Sequence, residues 1–331
     1  MLPRVDTPLP RRLTDWARQS PLEAAAWLFL ALVIAWFYGF YSAFGPAGAM
    51  SAIDVMVSSW NEETDYGHGF LIPPTILGLL AWRFWYHSPG RREFAWQGLA
   101  VFIVGIVAWV LAYRLLQWRV AIGSLTLVTW GAIWYALGRR AALASALPVF
   151  LLLFAVPVPG LMQATNGLQV LATQMGYYGS RLLGIDVLLS GTMIQSPVED
   201  KWGFDIVEGC SGIRSLMAMI LIAAVYVYII KLPVWRKALV FVAAIPLAIL
   251  VNAIRITSII VLAEHFNPEF AAGIYHDYAS FFIFPVGLIG MLAMHQILTI
   301  DRRVRKRVVR RRMARARANE GGDNPSAAQD Q

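Results

Sequence analysis

Charged side chains and cysteine are both scarce in this sequence. Of the 331 residues, 15% are charged, whereas soluble globular proteins carry about 25%. This shortage excludes a soluble cytosolic enzyme, and a hydrophobic content of 58% excludes a disordered or collagen-like chain. The single cysteine, Cys210, excludes an intramolecular disulfide and a Cys-x-x-Cys metal site. What remains is a polytopic membrane protein, for which we expect no cofactor.

Eight apolar runs are long enough to cross a bilayer, whose hydrocarbon core of about 30 Å requires roughly 20 residues per helix. They lie at residues 21–44, 67–86, 94–113, 120–137, 142–160, 213–230, 238–263 and 279–300. We therefore expect an all-α fold, a polytopic membrane helical bundle of about eight transmembrane helices over residues 21–300. A cytoplasmic segment at residues 1–20 precedes it.

The charges of the connecting loops predict the orientation, because basic residues collect on the cytoplasmic side of a membrane. With both termini in the cytoplasm, 22 of the 28 basic residues fall inside and 12 of the 20 acidic residues fall outside. The basic segment at residues 301–331 could be a nucleic-acid patch. Its position directly after a span favours an orientation signal that also binds anionic membrane lipid. We expect no nucleic-acid partner, and we expect this tail to be disordered.

One connection, residues 160–212, is too long for a simple linker. Apolar residues recur in it at near-helical spacing (Leu168, Leu171 and Met175), and residues 186–195 alternate in polarity. We expect a partly ordered outer-face insertion between helices five and six. It would consist of an amphipathic helix and a short hairpin at the membrane interface.

The lone cysteine lies where this insertion enters the sixth span, in the segment Glu208-Gly209-Cys210-Ser211-Gly212-Ile213-Arg214. The positive end of a helix stabilises a thiolate, and Arg214, one turn beyond Cys210, would place a cation near the sulfur. This environment suits a nucleophilic cysteine. A free cysteine can equally be a small buried apolar side chain, so position alone leaves both interpretations open.

Asn252 and Arg255 lie inside the seventh span and share one helix face with Ser258. Polar and ionisable groups inside a span are costly, so we do not expect this face to contact lipid. Arg255 is either a structural arginine that reaches outward or pairs with an acid such as Glu208, or a donor to a developing oxyanion. The sequence does not decide between these roles.

Three histidines, His68, His265 and His276, are predicted on the same outer side as Cys210. A lone histidine is most often a surface residue, yet a cysteine nucleophile needs a base that titrates near neutral pH. The predicted topology therefore places a thiol, an intramembrane arginine and a candidate base at one membrane face. That combination is compatible with a Cys–Arg–His acyl-transfer site.

Several segments, in order along the chain, resemble the exosortase/archaeosortase family of membrane transpeptidase-like enzymes. They are DYGHGFLIP at residues 65–73, FAVPVP at 154–159, EGCSGIR at 208–214, NAIR at 252–255, and His276 some twenty residues later. The resemblance covers about residues 65–294. Two departures occur: Gly67 stands where the family commonly has serine, and Asp-Tyr-Ala-Ser-Phe-Phe follows His276 in place of the usual Gly-Trp pattern.

By this resemblance Cys210 corresponds to the proposed nucleophile, Arg255 to the conserved arginine and His276 to the histidine of the family's triad. The residues expected to support the site or to bind substrate are His68, Glu208, Arg214 and Asn252. The resemblance implies a cysteine peptidase or transpeptidase of the bacterial inner membrane. Its substrates would be secreted proteins with a PEP-CTERM-like C-terminal tail, a short motif followed by one membrane helix and a basic cluster. Cleavage would occur at the outer face and serve exopolysaccharide-linked surface anchoring.

The sequence also allows proteins of other classes. A transporter, flippase or exopolysaccharide-export component would use the polar face of the seventh span as a permeation path. The sequence has no internal repeat and no paired broken helices in matching halves, which counts against this alternative. A membrane scaffold with an inert thiol is the third possibility.

Overall fold

The structure is a computed structural model that describes residues 5–61, 66–85, 87–88, 94–158, 161–199, 201–205, 213–275, 278 and 285–300. The described part is mostly helical. The chain divides into two compact units, Met1–Gly167 and Leu168–Gln331.

Unit 1 (Met1–Gly167) is mostly helical in its described part, with an isolated antiparallel bridge between Phe44 and Met50. Its helices are α1 (Leu9–Gln19), α2 (Pro21–Gly39), α3 (Ala52–Ser58), α4 (Ile72–Phe84), α5 (Trp96–Arg114) and α6 (Trp118–Phe150). Short 3₁₀ turns lie at Pro46–Gly48, Gly67–Leu71 and Leu151–Ala155.

Helix α6 is a helical hairpin rather than one rod. The Nε1–H of Trp130 donates to the backbone oxygen of Ala142 at 2.8 Å, and the rings of Trp130 and Phe150 are 5.4 Å apart. Residues twelve positions apart in a straight helix would be separated by about 18 Å. The chain reverses at Gly138, whose φ of 77° is readily adopted by glycine. This turn lies between the two spans predicted at 120–137 and 142–160.

Glycines allow α5 to pack closely against the first half of α6. A Cβ atom on Gly98 would lie 2.2 Å from the backbone nitrogen of Tyr135, and one on Gly131 would lie 2.5 Å from that of Phe102. Small residues at such crossings let helix backbones approach each other, which is how helices associate inside a membrane.

Four helical segments of the described part are long and apolar enough to cross a membrane: Pro21–Gly39, Trp96–Arg114, Trp118–Ala155 and Val234–His265. Two shorter apolar helices, Leu216–Ile229 and Pro285–Ile300, lie within two more of the predicted spans. The run predicted at 67–86 contains the 13-residue helix α4, about 20 Å long and shorter than a 30 Å hydrocarbon core. A helical membrane protein is therefore supported, and the eight-span arrangement stays a prediction.

Unit 2 (Leu168–Gln331) combines helices with a small sheet. Its elements are α7 (Leu161–Leu182, most of which belongs to this unit), β1 (Leu188–Ser190), β2 (Met193–Gln195), β3 (Gly203–Asp205), α8 (Ile213–Ile229), α9 (Val234–Val242), α10 (Ala244–His265), a short turn at Pro268–Phe270, a π-helical turn at Ala271–Tyr275, and α11 (Pro285–Ile300). The segment predicted as an insertion thus contains a helix and three strands. Its position at the outer face stays a prediction.

The three strands form an antiparallel sheet in the order β1-β2-β3, in which Ile194 pairs with Leu189 on one side and Phe204 on the other. Ile194 and Trp202 pack in one apolar cluster with residues of α10, including Ile256 and Ile260. We call this group the sheet cluster. A second group, the bundle cluster, joins α8, α9, α10 and α11 through Met219, Val240, Ala248, Val251 and Met291. Helix α10 belongs to both clusters and is the central element of unit 2.

Candidate active site

The sequence-predicted site residues divide into those that the structure describes and those that it does not. Cys210, Glu208 and His276 lie outside the described residues. Arg214 is the second residue of α8, and its side chain lies outside the described part. Two polar residues, Asn252 and Arg255, lie on α10 in unit 2, and His68 belongs to unit 1.

Asn252 and Arg255 are buried within the membrane-length segment Val234–His265. Their exposed fractions are 2% and 8%. A polar residue on an apolar helix that faced the bilayer would be exposed in the structure, so this helix face contacts protein instead. Arg255 lies about 15 Å along the helix from His265, at 1.5 Å per residue. The guanidinium is therefore held inside the protein, well within the apolar segment.

Two glycines of α7 contact α10 at the turn that carries Arg255. A Cβ on Gly176 would lie 2.5 Å from Cγ2 of Ile256, and one on Gly179 would lie 2.6 Å from Oγ1 of Thr257. Both contacted residues directly follow Arg255 in sequence. The Thr257 hydroxyl donates to the backbone oxygen of Ala253 at 2.9 Å. Because glycine has no side chain, α7 can pack closely against α10. This packing fixes the backbone of the turn that carries Arg255.

A chain of hydroxyl groups connects the same turn to the residue before His276. The Tyr275 hydroxyl donates to Oγ of Ser258 at 2.9 Å, and Ser258 donates to the backbone oxygen of Arg255 at 2.7 Å. The Tyr275 ring also packs against both the sheet cluster and the bundle cluster. The end of the π-helical turn is therefore anchored one helical turn from Arg255.

Besides the sheet cluster, a carboxylate at the far end of α10 binds the residues that directly precede β3. Glu264 accepts from Nζ of Lys201 at 2.5 Å and from Nε1 of Trp202 at 2.8 Å. Trp202 is buried and stacks on Phe204 of β3 with ring centroids 5.5 Å apart. The strand that leads toward Cys210 in the sequence is thereby held on the helix that carries Arg255.

His68 in unit 1 belongs to a separate, aromatic-rich contact. It is 6% exposed, and its Nε2 lies 3.3 Å from the backbone oxygen of Phe154. Because a carbonyl oxygen only accepts, Nε2 carries the hydrogen and donates. Trp60 Nε1 donates to the oxygen of Ala155 at 2.7 Å, and the Tyr66 hydroxyl accepts from the backbone nitrogen of Val158 at 3.1 Å.

The His68 and Tyr66 bonds join the two segments DYGHGFLIP and FAVPVP, which are distant in sequence, and the Trp60 bond joins the residues just before the first segment to the second. Gly69 lies against Trp60, and a Cβ there would approach the indole ring to 2.5 Å. In the described residues, no cluster of three or more His, Cys, Asp or Glu side chains could hold a metal ion. The Trp60 and His68 side chains donate to backbone oxygens.

Sequence patterns miss part of this arrangement. Gly176 and Gly179 are three residues apart and share one face of α7, where small residues permit close helix contact, although the sequence does not say which helix is contacted. Tyr275 carries no distinguishing pattern, because its role arises from a hydrogen bond to a residue 17 positions away. The Trp60 side chain likewise donates a hydrogen bond to a backbone oxygen 95 positions away.

Membrane-length apolar helices with polar residues buried inside them define a polytopic membrane protein with an internal polar site. The profile of the transmembrane exosortases matches residues 60–293, and the chain belongs to this family. No curated protein and no solved structure matches the chain. Family membership makes the protein a membrane sorting enzyme in general terms.

Proposed function

We propose that this exosortase is a cysteine peptidase or transpeptidase that cleaves the C-terminal sorting signal of secreted proteins at the outer membrane face. The substrate tail would carry a short motif, one membrane helix and a basic cluster. Such a tail shares the orientation predicted for this chain, with its basic end inside and its motif at the outer interface. The motif would then reach the level of Cys210 without crossing the membrane again.

In the proposed reaction the Cys210 thiolate attacks the scissile carbonyl carbon and forms a carbon–sulfur bond. The negative charge that develops on the carbonyl oxygen is stabilised by Arg255, whose guanidinium is a permanent cation with several N–H donors. His276 takes the thiol proton and returns it to the leaving amine, so that the peptide bond breaks and a thioester remains. An acceptor nucleophile or water then attacks the thioester and regenerates the thiol.

The observation that carries this proposal is the burial of Arg255 in a membrane-length helix of a family-matched chain. A buried cation is costly, so its retention favours a function. Two further contacts support it: Gly176 lies against the Arg255 turn, and the Tyr275–Ser258 bond anchors the residue before His276 to that turn. Glu208, Arg214, Asn252 and His68 are proposed to support the site or to bind substrate.

Replacing Cys210 tests the proposal. A tagged secreted protein with the three-part tail is followed by gel in cells that express Cys210→Ala or Cys210→Ser at wild-type protein level. Both variants should fail to shorten the substrate, and Ser211→Ala, the neighbouring control, should process it normally. Added hydroxylamine should appear on the new C-terminus of the wild-type product, because it attacks a thioester. Normal shortening by Cys210→Ala would refute the nucleophile assignment and favour a transporter or scaffold.

A further inference from the structure

Unit 1 contains an apolar cavity of about 490 Å³, open on one side, between α1, α2 and the first half of α6. Helices α2 and α6 line it with the same i, i+3, i+4, i+7, i+8 spacing, so each presents one face to it. Each face includes two alanines, Ala31 and Ala35 on α2 and Ala132 and Ala136 on α6. These four short side chains leave more room between the two helices than larger ones would.

The contacts at both ends of the cavity keep the two helices in place. At one end the hydroxyls of Tyr38 and Ser124, both buried, are hydrogen bonded at 2.7 Å. At the other end Trp16 of α1 lines the cavity and donates from Nε1 to Glu23 of α2 at 3.2 Å. Helices α2 and α6 are therefore hydrogen bonded to each other at one end of the cavity, and α1 is hydrogen bonded to α2 at the other.

The dimensions and lining of the cavity indicate a hydrocarbon chain. Water is disfavoured because the lining offers few polar partners, and an empty gap would forfeit dispersion contacts. A helix about 10–12 Å wide would fill this volume with roughly one turn, so a membrane-spanning helix could not lie wholly inside it. The lined stretch of α6, residues 129–137, is about 12 Å long. One leaflet of the hydrocarbon core is roughly 15 Å thick, so a lipid acyl chain matches the cavity in length.

Two basic residues follow the lining residues of α6 at the α1 end. Arg139 and Arg140 come directly after Leu137 and Gly138. Both arginines are exposed. Arginines near the membrane surface attract anionic lipids and can bind a phosphate group through paired N–H donors. We propose that unit 1 binds one anionic phospholipid, with an acyl chain in the cavity and the phosphate at Arg139 and Arg140.

The test uses the full chain, purified in detergent and incubated with an equimolar mixture of phosphatidylglycerol and phosphatidylethanolamine. Bound lipid is counted and identified by native mass spectrometry. We expect one tightly retained phosphatidylglycerol per wild-type chain. Ala31→Phe and Ala136→Phe fill the cavity from two different helices and should lose the retained lipid. Ala25→Phe, on the opposite, exposed face of α2, should keep it.

The arginines are tested separately through the preference for the anionic head group. Arg139→Gln and Arg140→Gln should each lower the ratio of phosphatidylglycerol to phosphatidylethanolamine about fivefold. Arg114→Gln, an exposed arginine at the end of α5, should leave the ratio unchanged. Equal lipid retention by wild type and both cavity-filling variants would overturn the site. Retention with no head-group preference, or with a preference insensitive to Arg139 and Arg140, would overturn the phosphate contact.

Discussion

The His68 segment of unit 1 and the Arg255 turn of unit 2 both hold a polar side chain inside an apolar helical protein, but by different means. The His68 segment is held by aromatic donors, since Trp60 and His68 each donate to a backbone carbonyl. The Arg255 turn is held by small groups, namely Gly176 and the Ser258 hydroxyl.

This difference predicts which kind of substitution destabilises each region. A segment fixed by buried hydrogen bonds is weakened when a donor is removed, because the remaining carbonyl is left without a partner. A turn fixed by glycine contact is weakened when volume is added, because the packed neighbour must move. Removing a hydrogen-bond donor should therefore destabilise the His68 segment most. Adding side-chain volume should destabilise the Arg255 turn most.

The largest effect on stability is expected from Trp60→Phe. The change keeps an aromatic ring, removes the Nε1 donor to Ala155 and leaves space beside Gly69, so we expect a loss of about 3 kcal/mol in unfolding free energy. Thermal unfolding in detergent measures it. Trp96→Phe at an exposed position is the matched control and should change stability by less than about 0.5 kcal/mol. Equal effects of the two substitutions would contradict the importance of the carbonyl contact.

An intermediate effect is expected from Gly176→Ala, which adds a single carbon 2.5 Å from Cγ2 of Ile256. Ile256 is buried and β-branched and cannot easily move, so we expect a loss of about 2 kcal/mol and a lower processing rate per folded protein. At Gly167 in the same helix, no described atom lies within 4 Å of an added Cβ.

Gly167→Ala should therefore be neutral or stabilise the helix by up to about 1 kcal/mol. Thermal unfolding and the gel assay on both variants make the comparison. The inferred helix contact would be wrong if Gly176→Ala behaved like Gly167→Ala.

The smallest effect is expected from Tyr275→Phe. The ring still packs against both apolar clusters, and the lost hydroxyl bond to Ser258 should cost about 1 kcal/mol. Thermal unfolding is compared with that of Tyr178→Phe, which alters an exposed tyrosine of the same unit. No difference between the two variants would show that the Tyr275 hydroxyl does not stabilise the turn.

Sequence reasoning succeeds where a property depends on neighbouring residues. Apolar run length predicts helical membrane segments, and the break at Gly138 falls between two predicted spans, beside Arg139 and Arg140. The four family-like segments, together with His276, predict the exosortase family, which the profile match over residues 60–293 confirms. The roles of Cys210, Arg255 and His276 remain predictions that the Cys210 experiment tests.

The sequence by itself determined the class of the protein, its family and the residues that carry candidate chemistry, because composition, hydropathy and motif spacing are local properties. The tertiary structure alone decided which groups hold those residues. The Trp60–Ala155 bond, the Gly176–Ile256 contact and the lipid-sized cavity between α2 and α6 each join segments far apart in the chain. Such contacts depend on how the helices pack, and no local pattern records which carbonyl, methyl group or helix face will lie opposite.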